Sequence, residues 1–195
     1  KSGELSGLTR VRSITQDDCH VFTDLSHLES EIDLMLEMIK EVYAAFGFND
    51  FYVRVSLRDS KNKDKYIGSE ENWQHAEETL RKVVKKIGWK HEEAENEAAF
   101  YGPKLDFMFK DAIGREWQLS TIQLDFNLPE RFELEYTTSE GTKERPIVIH
   151  RAILGSTERF LGILIEHYAG AFPFWLSPVQ VKVLPVSDKH LDYAS

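Results

Sequence analysis

Apolar residues recur at helical spacing in three stretches of this chain. In the first, Leu28, Ile32, Met35, Leu36, Ile39, Tyr43 and Phe46 share a face until Gly47 stops the run. Ser26 and Glu29 have capping-box spacing ahead of it, so a helix is predicted over about 27–46. Ser69 opens a second helix, with Trp73, Ala76, Leu80, Val83, Val84 and Ile87 on one stripe and Gly88 at its end. A third starts near Ser156, runs through Phe160, Leu161, Ile163, Leu164, Ile165 and Tyr168, and ends by Gly170 and Pro173. Its apolar residues wrap most of the circumference, which predicts a buried helix. Strand-like runs lie at 51–57, 105–109, 116–126, 132–136, 147–153 and 179–186. Four of them follow one another between 105 and 153 through short turns, as antiparallel hairpins do and βαβ units do not. The expected fold class is α+β: a mostly antiparallel sheet flanked by helices.

Composition narrows the function. The chain has 195 residues, 42% hydrophobic, with 24 Lys+Arg against 33 Asp+Glu, a net charge of −9. That suits one soluble domain, or one and a fraction, with a core that needs no staples. Cys19 is the single cysteine, so neither an internal disulfide nor a Cys-rich zinc module can form, and the expected location is cytoplasmic. The longest apolar stretch, 160–176, is broken by Glu166, His167 and Pro173, which argues against a membrane span. The acidic balance argues against a domain built to clamp nucleic-acid phosphates, while leaving room for a local RNA contact. Lys1 in place of Met, and a strand-like run near the carboxyl end, lead us to expect a piece of a longer protein.

Three stretches carry candidate chemistry. If 10–20 is extended, alternation puts Arg10, Arg12, Ile14, Gln16, Asp18 and His20 on one face. Such a row is either the solvent face of an outer strand or the floor of a polar site, with guanidiniums for phosphates, a carboxylate for an ammonium and an imidazole for a metal. His150 closes the apolar run 147–150, where a hydrogen-bonded core histidine and a ligand are both possible readings. Arg159, in the first turn of a helix, opposes the macrodipole and makes sense if an anion binds there; a salt bridge to Glu158 or another neighbour is the alternative. Finally, Tyr101 and Lys104 flank a Gly-Pro turn, and Gln118, Thr121 and Gln123 interrupt a strand. Regular alternation sends Gln118 and Gln123 to opposite faces, so both serve one pocket only if a bulge intervenes.

Taken together, RVRSITQDDCH at 10–20, AFYGPK at 99–104, WQLSTIQLDF at 117–126 and IHRAILGSTERF at 149–160 resemble, in that order, the catalytic core of the threonyl-tRNA synthetase family. The last run, continued by EHYAG at 166–170 and FWL at 174–176, resembles the third signature motif of class II aminoacyl-tRNA synthetases. The resemblance covers almost the whole chain and implies a catalytic core over 1–177, with a linker and the start of an anticodon-binding domain over 178–195. It implies activation of L-threonine by ATP to threonyl adenylate and transfer to tRNA(Thr), in a cytoplasmic, homodimeric parent enzyme of protein biosynthesis. By the same resemblance, Arg10 and Arg159 are catalytic. Arg10, Gln118, Thr121 and Arg159 contact ATP, while Gln16, Asp18, Tyr101, Lys104 and Gln123 contact threonine or its adenylate. His20 and His150 bind Zn²⁺, and Mg²⁺ accompanies ATP.

The resemblance also implies gaps. The family's third zinc ligand, a cysteine, falls before residue 1, as do the second-motif Arg and Glu and the first motif. Ile14 stands where the family usually has a Phe stacking on adenine. The isolated piece is therefore expected to be inactive, and a non-catalytic module that binds threonine or its adenylate is the alternative. The basic face of the second helix, with Arg81, Lys82, Lys85 and Lys86, is expected to be solvated, with a tRNA contact as the alternative.

Overall fold

The computed structural model describes residues 3–194. In chain order it contains β1 (Cys19–Thr23), α1 (Leu28–Phe46), β2 (Phe51–Leu57), α2 (Glu70–Ile87), β3 (His91–Glu95), β4 (Lys104–Lys110), β5 (Glu116–Asp125), α3 (Asn127–Arg131), the short pair β6 (Tyr136–Thr137) and β7 (Lys143–Glu144), β8 (Ile147–Ala152) and α4 (Thr157–His167). Six strands form one sheet in the order β1-β8-β5-β4-β2-β3. Its pairings are antiparallel except that of β2 with β3. The fold is thus the α+β class that the hydrophobic pattern predicts. Among the described residues no helix is long and apolar enough to cross a membrane.

Strand alternation divides the sheet into two unlike faces. Val53, Val55, Leu105, Phe107, Phe109, Ile122, Leu124, Ile147 and Ile149 are buried in one cluster with Ile32, Met35, Leu36, Ile39 and Tyr43 of α1 and Ala76, Leu80, Val83 and Val84 of α2. Each fully buried aliphatic side chain of this kind contributes about 1.5–3 kcal/mol. The intervening residues, Ser56, Lys104, Asp106, Thr121, Gln123, Asp125 and His150, lie on the opposite side, where Gln123 bonds to Tyr101 and Gly102 and the others bond to one another. The polar residues that interrupt the strands are therefore gathered on one surface, backed by a packed core.

Several elements differ from the sequence reading. The capping box does not form: His27 is the N-cap of α1 and makes no side-chain cap bond. Asp24 takes over, accepting from the His27 N–H at 2.9 Å and from the Ser26 hydroxyl at 2.6 Å. The 132–136 strand is displaced by α3, because the Asp125 carboxylate accepts from the N–H groups of Asn127 and Leu128 and turns the chain. β3 is an added edge strand. Its acidic, non-alternating HEEAE sequence carries no period-two signal, yet it pairs in parallel with β2 across α2. The 179–186 run forms no strand, and Val179, Val181, Val183 and Val186 are exposed, with no neighbouring strand to complete a ladder. On α4, Phe160, Ile163 and Leu164 are buried but Leu161 and Ile165 are exposed, so one face is covered where a fully buried helix was expected. The basic residues of α2 make surface ion pairs: Arg81 with Glu93, Lys82 with Glu29, and Lys86 with Glu29 and Asp33.

Candidate functional site

The expected strand over 10–20 exists only from Cys19 onward. Ser6 and Arg10 exchange backbone hydrogen bonds, Gln16 makes an isolated bridge to Ser156, and the Thr157 N–H donates to the Thr15 carbonyl. This path breaks the single polar row that alternation implied. Arg10 lies close enough to Arg159 to act on its charge, Gln16 sits at the start of α4, and Asp18 and His20 reach the sheet. Arg12 and Ile14 are exposed.

A bulge brings the β5 residues together. Asp106 faces Thr121 and Met108 faces Gln118, so β5 spends one extra residue across this interval. Leu119 and Ser120 are both buried, with Tyr43 Oη 2.8 Å from Ser120 Oγ. Gln118, Thr121 and Gln123 consequently share the polar face, as the sequence required if they were to serve one pocket. A cleft of about 180 Å³ is lined by Gln16, Asp18, Tyr101, Thr121, Gln123, His150, Arg151 and Ala152.

The first end of the site is assembled by strict donor and acceptor matching. Tyr101 Oη donates to Gln123 Oε1 at 3.0 Å, and Gln123 Nε2 donates to the Gly102 carbonyl at 3.2 Å. With its proton spent, the Tyr101 oxygen presents lone pairs only. Burial first, then the negative charges of Asp125 and Asp18, push its phenol above the usual tyrosine value. Gly102 is required here by close approach: a Cβ would lie 1.9 Å from the Leu124 carbonyl oxygen.

His20 and His150 are cross-strand partners whose rings meet edge to face, with centroids 4.5 Å apart. His150 Nε2 lies 2.9 Å from Asp125 Oδ2. A carboxylate can only accept, so Nε2 carries a proton, which leaves Nδ1 as the nitrogen that can offer a lone pair to a metal. A carboxylate behind the distal nitrogen is the usual support of a metal-binding imidazole. The pair thus fits two positions of a metal site. Among the described residues no third His, Cys, Asp or Glu completes a set. Alternation along β1 sends Cys19 away from His20.

Lys104 and Gln118 join the face through a residue that sequence reading passed over. Asp106 is fully buried. Its Oδ2 accepts from Lys104 Nζ and Ser56 Oγ, each at 2.7 Å, and lies 3.4 Å from an Arg54 nitrogen. Its Oδ1 accepts from Gln118 Nε2 at 2.7 Å and Thr121 Oγ1 at 3.2 Å. A signal existed: a lone carboxylate in an apolar strand must be paired if buried. Asp17 was missed likewise. It accepts from the N–H groups of Ile153, Leu154 and Gly155 and so pins the β8–α4 turn. Gly155, at φ +69°, packs there on the Leu119 carbonyl, 2.6 Å from where a Cβ would lie.

The other end is cationic. Ser156 Oγ caps α4 by accepting from the Arg159 N–H. The Arg159 side chain donates from Nε to the Thr9 carbonyl at 3.0 Å, and its guanidinium carbon stands 5.2 Å from the centre of the Trp117 ring. Glu158 does not pair with it, contrary to one sequence reading. That carboxylate accepts from the Thr15 N–H at 3.0 Å and the Ser156 hydroxyl at 3.0 Å. Among the described residues neither Arg10 nor Arg159 makes a salt bridge to a carboxylate. Burial, and then the like charge of Arg10, push the Arg159 guanidinium below its usual value.

The comparisons with known proteins bear on this arrangement. The family model of the tRNA synthetase class II core domain (G, H, P, S and T) matches residues 1–168. The chain is 57% identical over 194 residues to the threonine–tRNA ligase of Rubrobacter xylanophilus and 54% identical over 195 residues to that of Rhodopirellula baltica. All of the chain aligns in both cases, and it spans 30% and 26% of the length of those two relatives. Among solved structures it is similar to the RNA binding domain of threonyl-tRNA synthetase from Cryptosporidium parvum, with a TM-score of 0.93 and 43% identity, covering 100% of this chain and 48% of that one. Fold, motif order and family match agree, and the chain belongs to the class II core-domain family of tRNA synthetases.

Proposed function

We propose that this chain carries the amino-acid-activating site of a threonine–tRNA ligase, which joins L-threonine to ATP as threonyl adenylate, releases pyrophosphate and passes the threonyl group to tRNA(Thr). The observation that carries the reading is the opposite polarity of the two ends. Asp18 and Tyr101 line one cleft with His150, whose Nε2 meets Asp125, whereas Arg159 has a backbone carbonyl and no carboxylate as its partner among the described residues. An ammonium belongs at the first end and a polyphosphate at the second, and β5 connects them from Trp117 to Gln123.

Asp18 and the Tyr101 oxygen accept from the substrate ammonium, and Gln123 holds Tyr101 in that role. Gln118, Thr121, Lys104 and Gln16 line the adenylate between the ends. Arg10 and Arg159 receive the phosphates of ATP, taken up with Mg²⁺, and stabilise charge as the threonine carboxylate attacks the α-phosphorus. No protein nucleophile is needed, because positioning and charge stabilisation account for this type of transfer. His20 and His150 would hold Zn²⁺ together with a ligand from elsewhere in the parent protein. When bound, the metal would supply Lewis-acid binding of the amino and hydroxyl groups of the substrate. That matters because an apolar pocket separates threonine from valine only about 100-fold.

Thermal melting with non-hydrolysable adenylate analogues tests the proposal in the full-length protein. Saturation at about 100 times Kd should add about 2.7 kcal/mol to stability. The threonyl analogue should act more strongly than the valyl one, and Asp18→Asn should erase the gain. His20→Ala and His150→Ala should each lower zinc content and abolish the preference over valine. Equal shifts for threonyl and valyl analogues would overturn the threonine assignment. A shift by the threonyl analogue without threonine-dependent ATP–pyrophosphate exchange would identify a binding module in place of an enzyme.

A further inference from the structure

We infer that Trp117 is a positioning residue for the phosphate end: its indole face holds the Arg159 guanidinium while leaving that group's in-plane donors free for an anion. The inference rests on the proposed role of Arg159 and extends it to a residue to which that reading gives no part.

The problem it solves is physical. A partly buried arginine usually takes a carboxylate partner, which fixes its place and consumes its N–H groups. Here Glu158 is occupied by Thr15 and Ser156, and Arg10 adds repulsion rather than neutralisation. Arg159 spends a single donor, Nε, on the Thr9 carbonyl. What remains is the aromatic ring 5.2 Å from its guanidinium carbon. An aromatic quadrupole attracts a cation through the ring face. Among the described residues neither terminal nitrogen of Arg159 makes a hydrogen bond, so both are left for an anion.

The ring is itself tied down. The indole Nε1–H donates to Asp111 Oδ2 at 2.8 Å, and Arg115 Nε donates to the same oxygen at 2.6 Å. A second guanidinium, that of Arg115, stands 5.4 Å from the ring centre and also reaches Glu166 at 2.7 Å. Glu166 lies in the last turn of α4, the helix whose first turn carries Arg159. The β4–β5 turn, the indole and both ends of α4 are thereby linked around one arginine.

The test uses the full-length protein, with ATP–pyrophosphate exchange for activity and thermal melting for folding. Trp117→Leu should raise KM for ATP by about tenfold, the order expected when a cation–π contact is lost, and leave KM for threonine within about twofold. Trp117→Phe keeps an aromatic face and should recover most of the loss. Trp117→Met fills the space without a quadrupole and should behave like Leu, which keeps the comparison usable if the smaller side chain lowers the melting temperature. In an Arg159→Ala background, Trp117→Leu should cost nothing further in ATP binding. Equal KM for ATP in the Phe and Met proteins, or full additivity with Arg159→Ala, would overturn the inference. If Arg159→Ala alone leaves KM for ATP unchanged, the assignment of Arg159 to the phosphates fails first.

Discussion

The two charged regions of the candidate site satisfy their charges by opposite means. At the Tyr101–His150 end, Gln123 is bonded on both sides, Asp125 serves two N–H groups and an imidazole, and the neighbouring Asp106 serves five donors. At the Arg10–Arg159 end, two like charges approach each other with an indole ring and a carbonyl as their support. The first end is bonded mostly within itself, with Arg54 Nε and Asn127 Oδ1 the buried side-chain atoms there that find no partner among the described residues. The second is left electrostatically open, and an anion would complete it. The difference teaches that one site can bond its charges internally where it must discriminate and leave them unpaired where it must draw charge in, because a buried polar group costs free energy unless a partner meets it.

The largest test of this contrast is Asp106→Ala at the closed end. It strands Lys104, whose side chain is only 16% exposed, and leaves Arg54, at 19%, with Glu97 alone at 3.8 Å, and should cost about 3–5 kcal/mol in urea unfolding. A loss under about 1 kcal/mol would show that the network does not hold the fold. Next comes Gly102→Ala, whose new Cβ meets the Leu124 carbonyl. It should cost roughly 1–3 kcal/mol and, by moving Tyr101, weaken threonine binding more than ATP binding in isothermal titration. An equal effect on both ligands would mean that the ends are not separable.

At the open end the expected stability effects are small. Arg159→Met should leave unfolding stability within about 0.5 kcal/mol of the parent, or raise it, because no ion pair is lost, while ATP affinity falls roughly ten- to a hundredfold. A large destabilisation would show that Arg159 is structural. The smallest effect concerns pH. The Glu158 carboxylate is held below its usual value chiefly by the Thr15 N–H, with the Ser156 hydroxyl adding to it. A lowered folded value means that this contribution is present above the usual glutamate value of 4.5 and fades as pH falls through the lowered one. Glu158→Gln should therefore lower stability slightly near neutrality and flatten the acid limb below about pH 4.5, where the two proteins converge. An unchanged acid limb would remove Glu158 as the anchor of the 15–16 segment.

What the sequence alone determined follows from periodicity and local chemistry. α1, α2, β2, β4, β5 and β8 were legible because each repeats at 3.6 or 2 and is bounded by a cap or a turn. The candidate site residues could be named from motif resemblance, and the need for a bulge in β5 followed from the spacing of Gln118 and Gln123. Other features depended on distant partners. The path of residues 10–18 is set by Ser156, Thr157 and Arg159, more than 130 positions away, and β3 exists only because β2 offers it an edge. Asp17, Asp106, Asp125 and Trp117 look ordinary in the chain. They acquire their roles where separate strands bring backbone N–H groups, two cations, an imidazole and a guanidinium within bonding distance. Hydrophobic period is a property of neighbours in sequence, whereas satisfaction of buried charge is a property of neighbours in space, so the tertiary structure alone decided which region pairs its charges internally and which leaves them for an anion.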